Sequence, residues 1–142
     1  MSDKEFVQKY LEDFSNLTRP SGDILEKIKK VKNILIKNNE NKQKVMIFGN
    51  GGSAAIASHV SVDLTKNAKI RCFNFNESDF ITCFSNDYGY EKWIEKTIDF
   101  YGDKGDTLII ISASGKSKNI INGCKAARNK NFSNIITFTG ID

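Results

Sequence analysis

The apolar residues of this chain change their period near Lys44. Before it, Phe6, Val7, Tyr10, Leu11, Phe14 and Leu17 recur at helical spacing, and Arg19-Pro20-Ser21-Gly22 breaks the run. Ile24, Leu25, Ile28, Val31, Ile34 and Leu35 then predict a second amphipathic helix, ending near the polar cluster Asn38-Asn39-Glu40-Asn41. After Lys44 the pattern becomes short apolar runs that alternate with helical ones. The runs Val45–Phe48, Ile70–Phe75, Thr107–Ser112 and Asn134–Thr139 read as strands. Helices are predicted over Ala54–Lys66, over Phe80–Tyr101 with a break, and over Asn119–Lys130. Strands that are apolar throughout and separated by helices predict an α/β fold, a doubly wound parallel sheet covered on both faces. The expected organisation is a helical segment, residues 1–43, packing on the domain or on a neighbouring subunit, then an α/β domain over residues 44–142. Only Gly140-Ile141-Asp142 follow the last strand. A buried last strand needs a covering helix, so the reading expects a domain truncated at its C-terminus.

Composition narrows the class. A chain of 142 residues supports one domain with a real core. Its 39% hydrophobic and 27% charged content fits an ordinary globular protein. No apolar run approaches the roughly 20 residues that span a bilayer, and Met1-Ser2-Asp3-Lys4-Glu5 lacks the apolar core of a signal peptide, so no membrane association is expected. Cys72, Cys83 and Cys124 are odd in number and form no CxxC pattern, which points to reduced thiols in a cytoplasm. The net charge of +4 is mild, and Lys27, Lys29, Lys30, Lys32 and Lys37 mark a solvated helix face. No basic stripe interleaves with aromatics, so nucleic acid is not an expected partner.

The candidate chemistry sits where strands end. Gly49-Asn50-Gly51-Gly52-Ser53 follows Val45–Phe48 and opens an Ala-rich helix. Glycines permit close approach, and the helix start offers N–H groups and a positive dipole end to an anion. A second loop, Ser112-Ala113-Ser114-Gly115-Lys116-Ser117, follows Leu108–Ile111. Its three hydroxyls and backbone donors suit the same kind of ligand; taken alone it is equally a Ser-rich turn with a helix N-cap. Gly115-Lys116-Ser117 matches the end of a P-loop, but Ile110 stands where that motif requires glycine. Neither loop satisfies GxGxxG, so no nucleotide cofactor is expected. In such folds ligands bind outside the carboxyl ends of the strands, where both loops lie.

His59 and Asp63 are four apart and share a helix face, which a helix starting at Ser53 or Ala54 turns toward the pocket. Such a pair serves as two metal ligands, as an acid–base pair, or as an exposed ion pair worth a few tenths of a kcal/mol. Asn86-Asp87-Tyr88-Gly89-Tyr90 reads as a turn between helices whose Asp87 either caps a helix or contacts sugar hydroxyls. Trp93 reads as core.

Together these residues resemble the sugar isomerase (SIS) domain, a Rossmann-like three-layer α/β/α fold, and within it the phosphoheptose isomerase family. The likeness runs from about Val45 to the end. It rests on Gly49–Ser53, Ala57-Ser58-His59, Asp63-Leu64, Asn86–Tyr90, Gly105-Asp106, Ile111–Ser117 and Thr139-Gly140. The resemblance implies that Ser53, Ser112, Ser114 and Ser117 hold a sugar phosphate with Ala113 in the same loop. It also implies that Asn50, Gly51, Gly52, Asn86 and Asp87 line the sugar chain. His59 then corresponds to a zinc ligand, and Asp63 to the catalytic carboxylate and second ligand, a position the family fills with glutamate. The family's other catalytic histidine and a ligating glutamine lie on a C-terminal helix that this sequence lacks. The implied activity converts sedoheptulose 7-phosphate to D-glycero-D-manno-heptose 7-phosphate in a cytoplasmic homotetramer. The alternative is a non-catalytic SIS protein, a sugar-phosphate sensor or an interaction module of the replication-initiator-binding type.

Overall fold

The structure is a computed structural model that describes residues 1–140, and the chain divides into two compact units, Met1–Asn33 and Ile34 onward. In the first, α1 (Asp3–Leu17) starts with a capping box: the Ser2 hydroxyl accepts from the Glu5 N–H, and the Glu5 carboxylate accepts from the Ser2 N–H. The Ser2 N–H, and after it the Ser2 hydroxyl, hold the Glu5 carboxyl below its ordinary range. Pro20 separates α1 from α2 (Gly22–Glu40). Phe6, Val7, Tyr10, Leu11, Phe14 and Leu17 on α1 are exposed.

The second unit is an α/β layer structure. Its strands are β1 (Val45–Gly49), β2 (Cys72–Phe73), β3 (Thr107–Ser112) and β4 (Asn134–Thr139), all parallel in the order β2-β1-β3-β4. Between them run α3 (Gly52–Lys66), α4 (Ser78–Tyr88), a 3₁₀ turn at Tyr90–Lys92, α5 (Trp93–Tyr101) and α6 (Lys118–Asn129). Met46, Phe48, Leu108 and Ile110 point to one side and pack with Trp93, Ile94 and Ile98 of α5 and Ile120, Ala126 and Ala127 of α6. The alternate residues Val45, Ile47, Thr107 and Ile109 are also buried, and α3 packs on β1 through the small residues Ala54, Ala57 and Ser61. Each large side chain so buried contributes about 1.5–3 kcal/mol, and these strands have no polar face to give register freedom. Trp93 is core, as its pattern predicts.

One element departs from expectation for a local reason. The strand predicted over Ile70–Phe75 pairs only at Cys72 and Phe73. At the next position the Asn74 side chain donates to the Ile47 carbonyl at 2.9 Å while its own oxygen accepts from the Asn76 N–H, so a side chain replaces the ladder and turns the chain away. The break expected within Phe80–Tyr101 falls at Gly89, with φ 87° at the end of α4.

At the sheet's N-terminal edge, Asp106 is buried. Its carboxylate accepts from the Lys44 and Asp103 N–H groups and pairs with the Lys44 ammonium. The Asp103 carboxylate joins the same ammonium, which holds its carboxyl below the ordinary range. The Gly105-Asp106 motif therefore closes the edge opposite the loops. On the same side of the sheet, Asn38 near the end of α2 donates to the Thr107 hydroxyl at 3.0 Å, attaching the last turns of α2 to this unit.

Candidate functional site

β1 and β3 are neighbours, with Gly49 paired to Ile111, so the glycine loop and the serine loop leave the sheet side by side at its carboxyl edge. Gly49 is required there. A Cβ at this position would lie 2.5 Å from the backbone C and O of Ser53, so any side chain would push α3 off the strand. The loop then turns through Gly51 at φ 55°, and the Ala54 and Ala55 N–H groups bond back to its carbonyl. This starts α3 with Gly51 and Gly52 exposed and Ser53 half-buried in the first turn.

The serine loop folds on its own hydroxyl oxygens. Ser112, buried, accepts from the Gly115 N–H at 3.2 Å, and Ser114 accepts from the Lys116 N–H at 3.2 Å. Each hydroxyl keeps its proton to donate. The Ala113 carbonyl accepts from Gly140, fixing the loop to the end of β4. Ser117 is the N-cap of α6 and makes no side-chain capping bond, which leaves its hydroxyl available at a helix start, the usual setting for an anion.

Between these loops and the α4–α5 connection lies an open cleft of about 560 Å³, lined by Asn50, Ser117 to Asn119 and the run Tyr88 to Glu91. At its floor Asn50 and Asn119 exchange amide hydrogen bonds, Asn50 Nδ2 to Asn119 Oδ1 at 3.1 Å and Asn119 Nδ2 to Asn50 Oδ1 at 2.8 Å. The Tyr90 hydroxyl adds a bond to Asn50 Oδ1 at 3.1 Å. Glu91 and Lys118 face each other at 3.5 Å.

Of the residues expected at a site, Asn50 and Ser117 line this cleft. Gly51, Gly52, Ser53, Ser112, Ala113 and Ser114 lie in the two loops beside it without lining it. Asn86 and Asp87 occupy the last turn of α4, exposed, with Asn86 donating to the Asp87 carboxylate; their neighbour Tyr88 reaches the cleft. His59 and Asp63 do not face it. The buried face of α3 is Ala54, Ala57 and Ser61, and at about 100° per residue His59 and Asp63 lie roughly 140–180° around the helix from Ala54. The helix starts at Gly52, ahead of the expected start, and the two side chains are 80% and 52% exposed, paired at 3.5 Å. Asp63 also accepts from Asn67.

A zinc site does not fit these residues. His59 and Asp63 supply two donors where a protein zinc site needs three or four, and no group of three or more His, Cys, Asp or Glu side chains suited to a metal occurs among the described residues. Tyr90, Glu91, Lys118 and Asn119 were not legible as site residues. Asn119 carries one usable signal, an amide in the first turn of a helix that follows a hydroxyl-rich loop. Of the thiols, Cys83 donates to the Asp87 carboxylate at 3.9 Å, while burial pushes Cys72 up to about 12 and raises Cys124 as well. No helix among the described residues is long and apolar enough to cross a membrane.

This arrangement, a parallel sheet with two anion-suited loops at adjacent strand ends, is that of a SIS domain, and the SIS domain family model matches residues 9–140. Relatives agree. The phosphoheptose isomerase of Aliarcobacter butzleri is 31% identical over 128 residues, 86% of this chain and 68% of the relative. That of Helicobacter pylori is 32% identical over 134 residues, 90% of this chain and 70% of the relative. The solved structure of phosphoheptose isomerase GmhA from Neisseria gonorrhoeae superposes with a TM-score of 0.90 at 29% identity, covering 99% of this chain and 77% of that one. The chain belongs to the phosphoheptose isomerase family of SIS-domain proteins.

Proposed function

We propose that the chain is a sugar-phosphate aldose–ketose isomerase, acting on sedoheptulose 7-phosphate to give D-glycero-D-manno-heptose 7-phosphate for surface-polysaccharide synthesis in the cytoplasm. The observation that carries this reading is the cleft at the carboxyl edge, where the glycine loop meets the uncapped start of α6 through Asn50 and Asn119. A phosphate dianion suits the donors of Ser53, Ser112, Ser114 and Ser117, with Ala113 giving the loop its close approach. The sugar chain then extends over Asn50, Gly51 and Gly52 toward Asn86 and Asp87.

The reaction moves one proton from C1 to C2 and one hydroxyl proton from O1 to O2 through an enediol, with no net change in protons. Asp63 is the base we assign to the carbon, with His59 beside it to hold or accept the proton. Because both face away from the cleft of their own subunit, the reading includes assembly as a homotetramer in which neighbouring subunits complete the reacting end. The exposed apolar residues of α1 support that assembly. One observation favours a second reading, a non-catalytic sugar-phosphate sensor or interaction module: the outward position of Asp63. Incubation of the protein with sedoheptulose 7-phosphate, with products followed by NMR, separates the two. Appearance of the aldose phosphate supports the isomerase; tight binding without turnover, with or without added zinc, selects the sensor.

A further inference from the structure

We infer that Asn119 and Tyr90 are positioning residues that hold Asn50, and through it the glycine loop, in the conformation that reads the sugar chain rather than the phosphate. The inference rests on the isomerase reading and extends it to two residues that line the same cleft and hold Asn50 in place. Asn119 is 2% exposed at the first turn of α6, so its amide is committed to partners inside the protein. One of these is Asn50, which it both donates to and accepts from; its Oδ1 also accepts from the Ile120 N–H. Asn50 Oδ1 takes two donors, Asn119 Nδ2 and the Tyr90 hydroxyl, and Asn50 Nδ2 is engaged with Asn119.

The amide of Asn50 is thus fixed from two elements that are far apart in sequence, α6 and the 3₁₀ turn after α4. Its backbone carbonyl accepts from the Ser53 N–H at 3.0 Å, so fixing the side chain also fixes the turn that starts α3. The same three side chains line the cleft, with Ser117 two residues from Asn119. A clamp at this point leaves the serine hydroxyls untouched and sets where the backbone of Gly51 and Gly52 meets a ligand. A preorganised loop of this kind lowers the ordering cost of binding.

The test uses Tyr90→Phe, which removes one hydroxyl from a half-exposed ring, and Asn119→Ala, which removes the buried amide. In the full chain, dissociation constants are measured for sedoheptulose 7-phosphate and for inorganic phosphate, alongside the backbone amide resonances of Gly51 to Ser53 without ligand. The expected result is weaker sugar-phosphate binding, about tenfold for Asn119→Ala and severalfold for Tyr90→Phe, with phosphate binding unchanged in both. The double variant is expected to lose less than the product of the single losses, because both side chains act through Asn50. The Gly51 to Ser53 resonances move in both variants. Should Asn119→Ala fold poorly, Tyr90→Phe carries the test alone. Equal loss of phosphate and sugar-phosphate affinity, or unchanged affinity and resonances in Tyr90→Phe with the wild type binding normally, overturns the clamp alone. A wild-type chain that binds no sugar phosphate overturns both the isomerase reading and the clamp.

Discussion

His59 Nε2 lies 3.5 Å from the Asp63 carboxylate, one turn apart on the outward face of α3. The pair joins a proton donor or acceptor to a carboxylate without burying either, so neither is needed for the core. Replacement of Asp63 by Asn keeps the size and the bond with Asn67 while removing the base. We expect Asp63→Asn to fold with native stability and to lower isomerisation by about 10²–10⁴-fold, with phosphate affinity retained. The measurement is the NMR time course of the ketose phosphate, set against its dissociation constant. Turnover at the wild-type rate would remove Asp63 from the reaction.

Ser117 offers a cleaner test of the phosphate assignment than the other serines do. Ser112 and Ser114 accept bonds from their own loop, so removing either hydroxyl disturbs the loop as well as the ligand. Ser117 makes no capping bond that Ala would lose. Ser117→Ala should therefore melt like the wild type and bind inorganic phosphate about tenfold more weakly, the size of one hydrogen bond to a charged group. Calorimetric titration with phosphate decides, and unchanged affinity would move the anion away from the start of α6.

Much of the fold was legible because the runs Val45–Phe48 and Leu108–Ile111 are apolar at every position and announce buried parallel strands, and both were found there. What the pattern could not show was β2 stopping at Phe73, because that end depends on one Asn74 amide reaching a carbonyl 27 residues away. The loops were legible from glycine and serine chemistry. The clamp of Asn50 by Asn119 and Tyr90 was not, since partners 69 and 40 positions apart leave no periodic trace. The helix phase of His59 and Asp63 was misjudged for a related reason. Their spacing fixes that they share a face, while the choice of face belongs to Ala54, Ala57 and Ser61, the residues that bury.

α5 and α6 approach so closely that Gly123 has no room for a side chain. A Cβ at that position would lie 2.4 Å from Ile94 Cγ2, inside the core that carries the sheet. Although alanine favours helix by up to about 1 kcal/mol over glycine, the overlap dominates here. Gly123→Ala is expected to destabilise the protein by a net 1–3 kcal/mol or so. Urea unfolding reads this as a lower midpoint at unchanged slope. A midpoint at or above that of the wild type would mean that Ile94 moves aside freely.

Cys72 makes stability depend on pH at the alkaline end. Burial on β2, beside Val45 of β1, disfavours its thiolate and pushes the group up to about 12 in the folded chain, while in the unfolded chain it titrates at its ordinary value. Between the two values the unfolded state has released a proton that the folded state keeps. Stability is therefore whole below about pH 8.5 and falls as pH rises toward about 12, by up to about 1.4 kcal/mol per unit from this group. Cys72→Ala removes that slope while costing core contacts at neutral pH. Urea unfolding of both proteins at pH 7.5, 9 and 10 is expected to show the variant less stable at pH 7.5 and the gap narrowing with pH. A gap that stays constant would show the thiol titrating freely in the folded chain. Thiol alkylation gives an independent reading at pH 7.5: Cys83, exposed, reacts in the native protein, and Cys72 reacts only once urea has unfolded the chain.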